Sequence, residues 1–182
     1  MVDSQHRRKA LRADATAITH GDKTLPLDRI GWVSYTAVHT ATRRMLGPNS
    51  YDSDWTFECG PPGSGVRDSI RITFMGGGQA QTPPEWASLV AISQAHLEPR
   101  LLAEHHHRVL GGETVEIAAV TITREGVVLR SGVLPWSEVT AGVGNGFVHV
   151  HRRGVDRPVA SVPLNRPNAV LIPRLFGALG SQ

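Results

Sequence analysis

At 182 residues the chain lies near the upper edge of one ordinary domain, or suffices for two small ones of roughly 90 residues that lean on each other. Its 19 basic and 16 acidic residues leave a net charge of +3, and only Lys9 and Lys23 are lysines, so the positive charge is carried by guanidinium groups suited to bidentate pairing with carboxylate or phosphate; an excess this small does not by itself mark a nucleic-acid protein. No long apolar run is present and Met1 to Arg12 is polar and basic, which excludes a membrane-spanning helix and a secretory signal and points to the cytoplasm.

Residues 1–13 carry His6, Arg7, Arg8, Lys9 and Arg12 with few apolar anchors, the composition of a flexible basic arm. From Thr16 the pattern turns to period two. Thr16, Ile18, Leu25 and Leu27 lead into Ile30 to Val38, where Trp32, Val33, Tyr35 and Val38 favour a pleated surface. Gly47-Pro48-Asn49-Ser50 marks a turn, Trp55 to Cys59 a strand, and Gly60 to Gly65 a loop. The lone Cys59 excludes an internal disulfide and, beside Trp55 and Phe57, reads as a buried thiol. Ile70 to Phe74 alternates cleanly.

After Gly76-Gly77-Gly78, Thr82-Pro83-Pro84-Glu85 has the form of a helix start, and Trp86, Leu89, Val90 and Leu97 follow at helical spacing. Pro99 is expected to interrupt this helix after Glu98, and a second one runs from Arg100 to Leu110 before Gly111-Gly112. Strands return at Val115 to Thr123, Gly126 to Leu129, Val133 to Val143, Phe147 to Arg152 and Val159 to Val162, with Asn145-Gly146 a strong hairpin signal. Val170 to Leu179 reads as a short final helix that Pro173 bends or begins. The four tryptophans, Trp32, Trp55, Trp86 and Trp136, fall on faces expected to be inward.

The two halves echo one another. Ala17-Ile18-Thr19 followed by Leu25-Pro26-Leu27-Asp28-Arg29-Ile30 matches Thr121-Ile122-Thr123 followed by Leu134-Pro135-Trp136-Ser137-Glu138-Val139, with a hairpin of different length between. The expected fold class is therefore α+β, with two related antiparallel strand-rich halves, each closed by a C-terminal helix. A small curved antiparallel sheet capped by such a helix resembles the pleckstrin-homology-like (PH-like) superfold, and Leu134 to Val139 resembles a strand found in many of its bacterial members. The resemblance implies a PH-like barrel architecture: a first module over 14–112 that includes the helical segment, and a second over 113–182. It implies binding of lipid headgroups, peptides or partner proteins, without fixing which. The basic cluster that holds a phosphoinositide in lipid-binding members is poorly matched, since only His20 and Lys23 lie in the first such loop and Arg124 and Arg130 near the second.

Three constellations could carry chemistry. His105, His106 and His107 form an imidazole run, but consecutive helical residues point about 100° apart and at most two meet one ion; His149 and His151, alternate on a strand, share a face. Arg43-Arg44 and Arg152-Arg153 fall in turns where their guanidinium groups would reach an anionic partner. The glycine-rich loops lack phosphate-cradling spacing, and no Gly-x-Ser-x-Gly nucleophile elbow occurs. The resulting expectation is a non-catalytic, cofactor-free binding or scaffold protein that holds a protein or peptide through sheet edges or a helix-side groove. Self-association into a homodimer through the same edge is equally allowed. The alternatives are a histidine-based metal-dependent enzyme and an anion-binding module for nucleic acid or lipid headgroups.

Overall fold

A computed structural model describes residues 1–6, 9–42, 50–64, 68–77 and 81–181. The protein is α+β, its described strands all pair antiparallel, and they form four open sheets, so no barrel closes among them. The chain divides into two compact units, Met1–Leu97 and Glu98–Gln182.

In the first unit, β1 (Val2–His6), β2 (Lys9–Ala13), β3 (Ala17–His20) and β4 (Lys23–Pro26) make one sheet in sequence order. A 3-10 turn at Leu27–Arg29 leads to β5 (Trp32–Thr42), β6 (Ser50–Gly60) and β7 (Ile70–Gly77), again in sequence order. The composition of residues 1–13 points to a solvated arm, but β1 pairs with β2, and Leu11 and Ala13 are fully buried. Two apolar side chains at alternate positions suffice to seat a strand whose other face is charged. Ile18, Ile30, Val33, Trp55, Phe57 and Ile72 complete this core. Helix α1 (Pro84–Ile92) starts on the proline pair and is tied to β6 by Trp86, whose indole N–H donates to the Thr56 carbonyl at 3.2 Å.

The expected break at Pro99 lies elsewhere. A π turn at Ser93–Leu97 follows α1, and α2 (Glu98–Leu110) carries Pro99 at its second position, where a missing amide costs little. The carbonyl that Pro99 cannot serve, four residues back, falls in the π turn, which is where the helical ladder is redrawn.

In the second unit the stretch Val115 to Thr123 is not one strand. β8 (Val115–Ile117) and β9 (Val120–Ile122) are joined by Ala118 and Ala119, at φ 52° and 70°. β10 (Gly126–Leu129) and β11 (Gly132–Pro135) complete a four-stranded sheet in the order β11-β10-β9-β8. Val133 to Val143 is likewise divided, by a 3-10 turn at Trp136–Glu138 that redirects the chain into β12 (Val139–Gly144). β13 (Phe147–Arg152) and β14 (Pro158–Pro163) finish a sheet in the order β12-β13-β14. Asn145 and Gly146, at φ 52° and 78°, form the tight turn their sequence predicts and close on the Gly144–Phe147 pair. Asn168, in the left-handed conformation, introduces a 3-10 turn at Ala169–Leu171 and then α3 (Ile172–Leu179). Ile172, Leu175, Phe176 and Leu179 insert into a core with Val127, Leu134, Val148, Val150 and Val162.

Candidate functional site

A concavity of the second unit lies between β12 and α3. Among the described strands β12 lies at a sheet edge, paired on one side by β13. The turn closing on Gly144–Phe147, together with the Arg153 amide donating to the Glu138 carbonyl at 2.6 Å, sets the alternation of the ladder. By that alternation Thr140, Gly142 and Gly144 exchange hydrogen bonds with β13, while the backbone groups of Val139, Ala141 and Val143 face the open edge.

Beside that edge is a cavity of about 270 Å³ lined by Trp136, Val139, Thr140, Ala141, Arg153, Pro173, Phe176, Gly177, Gly180 and Ser181. Local sequence explains the opening. Pro135 ends β11, and the 3-10 turn delivers Trp136 to the wall, where its ring meets that of Phe176 edge-on at 5.1 Å and its N–H donates to the Arg124 carbonyl at 3.0 Å. On the helix side, Gly177 carries no side chain, and a Cβ built there would meet nothing within 4 Å. The groove thus combines an aromatic wall, an unpaired backbone edge and one guanidinium, Arg153. Its hydroxyls, Thr140 and Ser181, have no base beside them among the lining residues.

The sequence-predicted site residues are only partly brought together. Arg153 reaches the groove, whereas Arg152 makes an exposed ion pair with Glu138 at 3.5 Å, an arrangement worth about 0–1 kcal/mol. Arg43 and Arg44 lie outside the described residues. His105, His106 and His107 are splayed on α2 as buried, half-buried and exposed side chains. His105 Nε2 is 3.3 Å from Asn168 Nδ2 and its buried Nδ1 has no hydrogen-bond partner; burial holds its pKa below the usual histidine value. His149 and His151 do share a face, with ring centroids 6.2 Å apart, but both His149 nitrogens are engaged: Nδ1 lies 2.9 Å from Ser161 Oγ and Nε2 3.2 Å from the Gly144 carbonyl. Among the described residues no three His, Cys, Asp or Glu side chains converge on a point where an ion could sit. Cys59 is fully buried, and burial first, with the neighbouring Glu58 charge second, pushes its thiol up to about 12, far from a reactive thiolate.

Trp32 and Trp55 are buried as expected, while Trp86 and Trp136 are only half-buried. Sequence reasoning assigned Trp136 to the core and missed its place in a groove wall; the small residues Gly177 on the final helix and Gly180 and Ser181 just after it were the available signal. No helix among the described residues is long and apolar enough to cross a membrane. The chain has no match among protein-family models, curated proteins or solved structures.

Proposed function

We propose that the chain is a non-catalytic binding or scaffold protein built from two related PH-like modules, and that it holds an extended peptide segment of a partner protein in the groove between β12 and α3. The observation that carries this is the unpaired edge of β12 lying beside an open cavity with an aromatic wall. A peptide laid there as an added strand would satisfy the outward backbone groups of Val139, Ala141 and Val143 and place alternate side chains against Trp136 and Phe176. Arg153 favours an acidic group on that segment.

The element order supports the two-module reading. Each unit contains four antiparallel strands, a 3-10 turn, three antiparallel strands and a helix in that order, with α2 ahead of them and a further 3-10 turn before α3 in the second unit. Ile18 pairs with Leu25, and Val127 pairs with Leu134 at the same separation along the chain. Each Leu-Pro then enters its 3-10 turn. The amide of Asp14 donates to the Ala17 carbonyl at 3.1 Å, and that of Thr123 to the Gly126 carbonyl at 2.9 Å. By this pairing the counterpart of Ala17-Ile18-Thr19 is Gly126-Val127-Val128, one strand later than Thr121-Ile122-Thr123. The two hairpins then need no difference in length.

Gly177→Trp tests the proposal, because the open space at that position accepts a side chain that fills the groove. The expected outcome is an unchanged urea unfolding midpoint together with loss of a stoichiometric partner that the wild-type chain retains from its own cell lysate. Equal retention of that partner by a folded Gly177→Trp chain would place binding elsewhere.

A further inference from the structure

We propose that the outer face of the β12-β13-β14 sheet is a second binding site, a stacking platform for single-stranded nucleic acid. Alternation along β13 buries Val148 and Val150 and turns Phe147, His149 and His151 to the opposite face. The Phe147 and His149 ring centroids are 6.0 Å apart with planes 26° from parallel, and His151 follows at 6.2 Å with its plane turned 65° from that of His149. Phe147, at 39% exposure, is a large aromatic side chain left on the surface. The residues of β12 paired with Phe147 and His149 are Gly144 and Gly142, so beside these two rings no β12 side chain obstructs a planar ligand, and Thr140 lies opposite His151. The two hydrogen bonds of His149 hold its ring in place before any ligand arrives, which lowers the ordering cost of stacking on it.

Charge selects the ligand. Of the arginines between Val139 and Ser181, Arg152 is paired with Glu138 and Arg174 with Glu98, which leaves Arg153, Arg157 and Arg166 against one carboxylate, Asp156. Arg157 directly precedes Pro158, which pairs with His151. At the other end, the Arg166 amide donates to the Pro163 carbonyl at 3.1 Å, and Pro163 pairs with Phe147. An exposed arginine thus flanks each end of a row of rings. Single-stranded nucleic acid offers the complementary pattern, with base faces for the rings and phosphates for the guanidinium groups, and a row of this length takes two or three bases. Duplex hides its base faces. A lipid surface is met by a continuous apolar face that sinks between headgroups, and the engaged, polar His149 in the middle of this row does not supply one.

The test is fluorescence anisotropy with a labelled oligothymidylate about ten nucleotides long, run on the full chain at low and raised salt, beside a duplex of similar length and vesicles containing phosphatidylserine. The expected result is preference for the single strand. Phe147→Leu, which keeps apolar bulk and removes the ring, should weaken binding about fivefold or more with an unchanged unfolding midpoint. Arg157→Gln combined with Arg166→Gln should flatten the salt dependence. The proposal is overturned by absence of binding at low salt, by equal binding of duplex with no effect of Phe147→Leu, or by binding to the vesicles alone.

Discussion

His105 shows how one side chain links packing to solution behaviour. It sits on the inward face of α2, where Asn168 supplies one hydrogen bond, and desolvation disfavours the charged imidazolium. Because its folded pKa is below the unfolded value, the unfolded chain takes up the proton more readily. The stability this group contributes is therefore complete above about pH 6.5 and is lost as pH falls below it, with a slope of at most about 1.4 kcal/mol per pH unit. Urea unfolding at pH 7.5 and 5.5 should show a larger loss for the wild-type chain than for His105→Leu. Equal losses would mean that burial of this imidazole is not coupled to folding. The sequence offered only a run of three histidines. Which of them is inward depends on how α2 is rotated against its neighbours, and that is a tertiary quantity.

Elements defined by local chemistry were legible, and those defined by strain were not. Asn145-Gly146 announces its hairpin because both residue types tolerate positive φ. Ala118-Ala119 makes a turn of the same hand with no such signal, and Val115 to Thr123 consequently reads as one strand. Alanine in the left-handed region costs roughly 1 kcal/mol or more, offset here by the burial of Val115, Ile117, Val120 and Ile122 on the two short strands. Ala119→Gly should therefore raise the unfolding free energy by about 1 kcal/mol, measured by urea titration. A neutral or destabilising result would mean that the turn relaxes at little cost. The helices follow the same division. The starts at Pro84 and around Pro173 are written in the prolines, whereas the π turn at Ser93–Leu97 has no sequence signature beyond the proline that follows it.

At the scale of the molecule, the second unit has a core of its own. Val109, Val115, Ile122, Val127, Leu134, Val150, Leu175 and Phe176 belong to one buried cluster contained within residues 98–182. In the same unit, the nearly fully buried Glu98 is met at 3.3 Å by Arg174 from α3. Residues 98–182 expressed alone should therefore give dispersed amide resonances and a single cooperative urea transition. A collapsed chain without dispersion would show that the first unit is needed to complete the fold. The repeat visible as two Leu-Pro segments is what divides the chain in this reading, and strand pairing is what places its members in register.

The sequence by itself determined the α+β class, most strand and helix positions, the Asn145-Gly146 hairpin and the burial of Cys59, because periodicity, turn residues and the solvent preference of apolar side chains act over a few residues. Only the tertiary structure decided that Lys9–Ala13 is a strand, since the pairing of Leu11 with His20 and of Ala13 with Ile18 is made across a turn. It also decided the two surfaces to which binding is proposed. The groove joins Trp136–Ala141 to Pro173–Ser181, segments separated by a whole hairpin and held together by burial of Phe176 and Leu179. The row of rings becomes a surface only because Gly142 and Gly144 of the neighbouring strand leave its flank open beside Phe147 and His149. Long-range packing sets both, and no local pattern encodes the distance between residues that meet through a shared core.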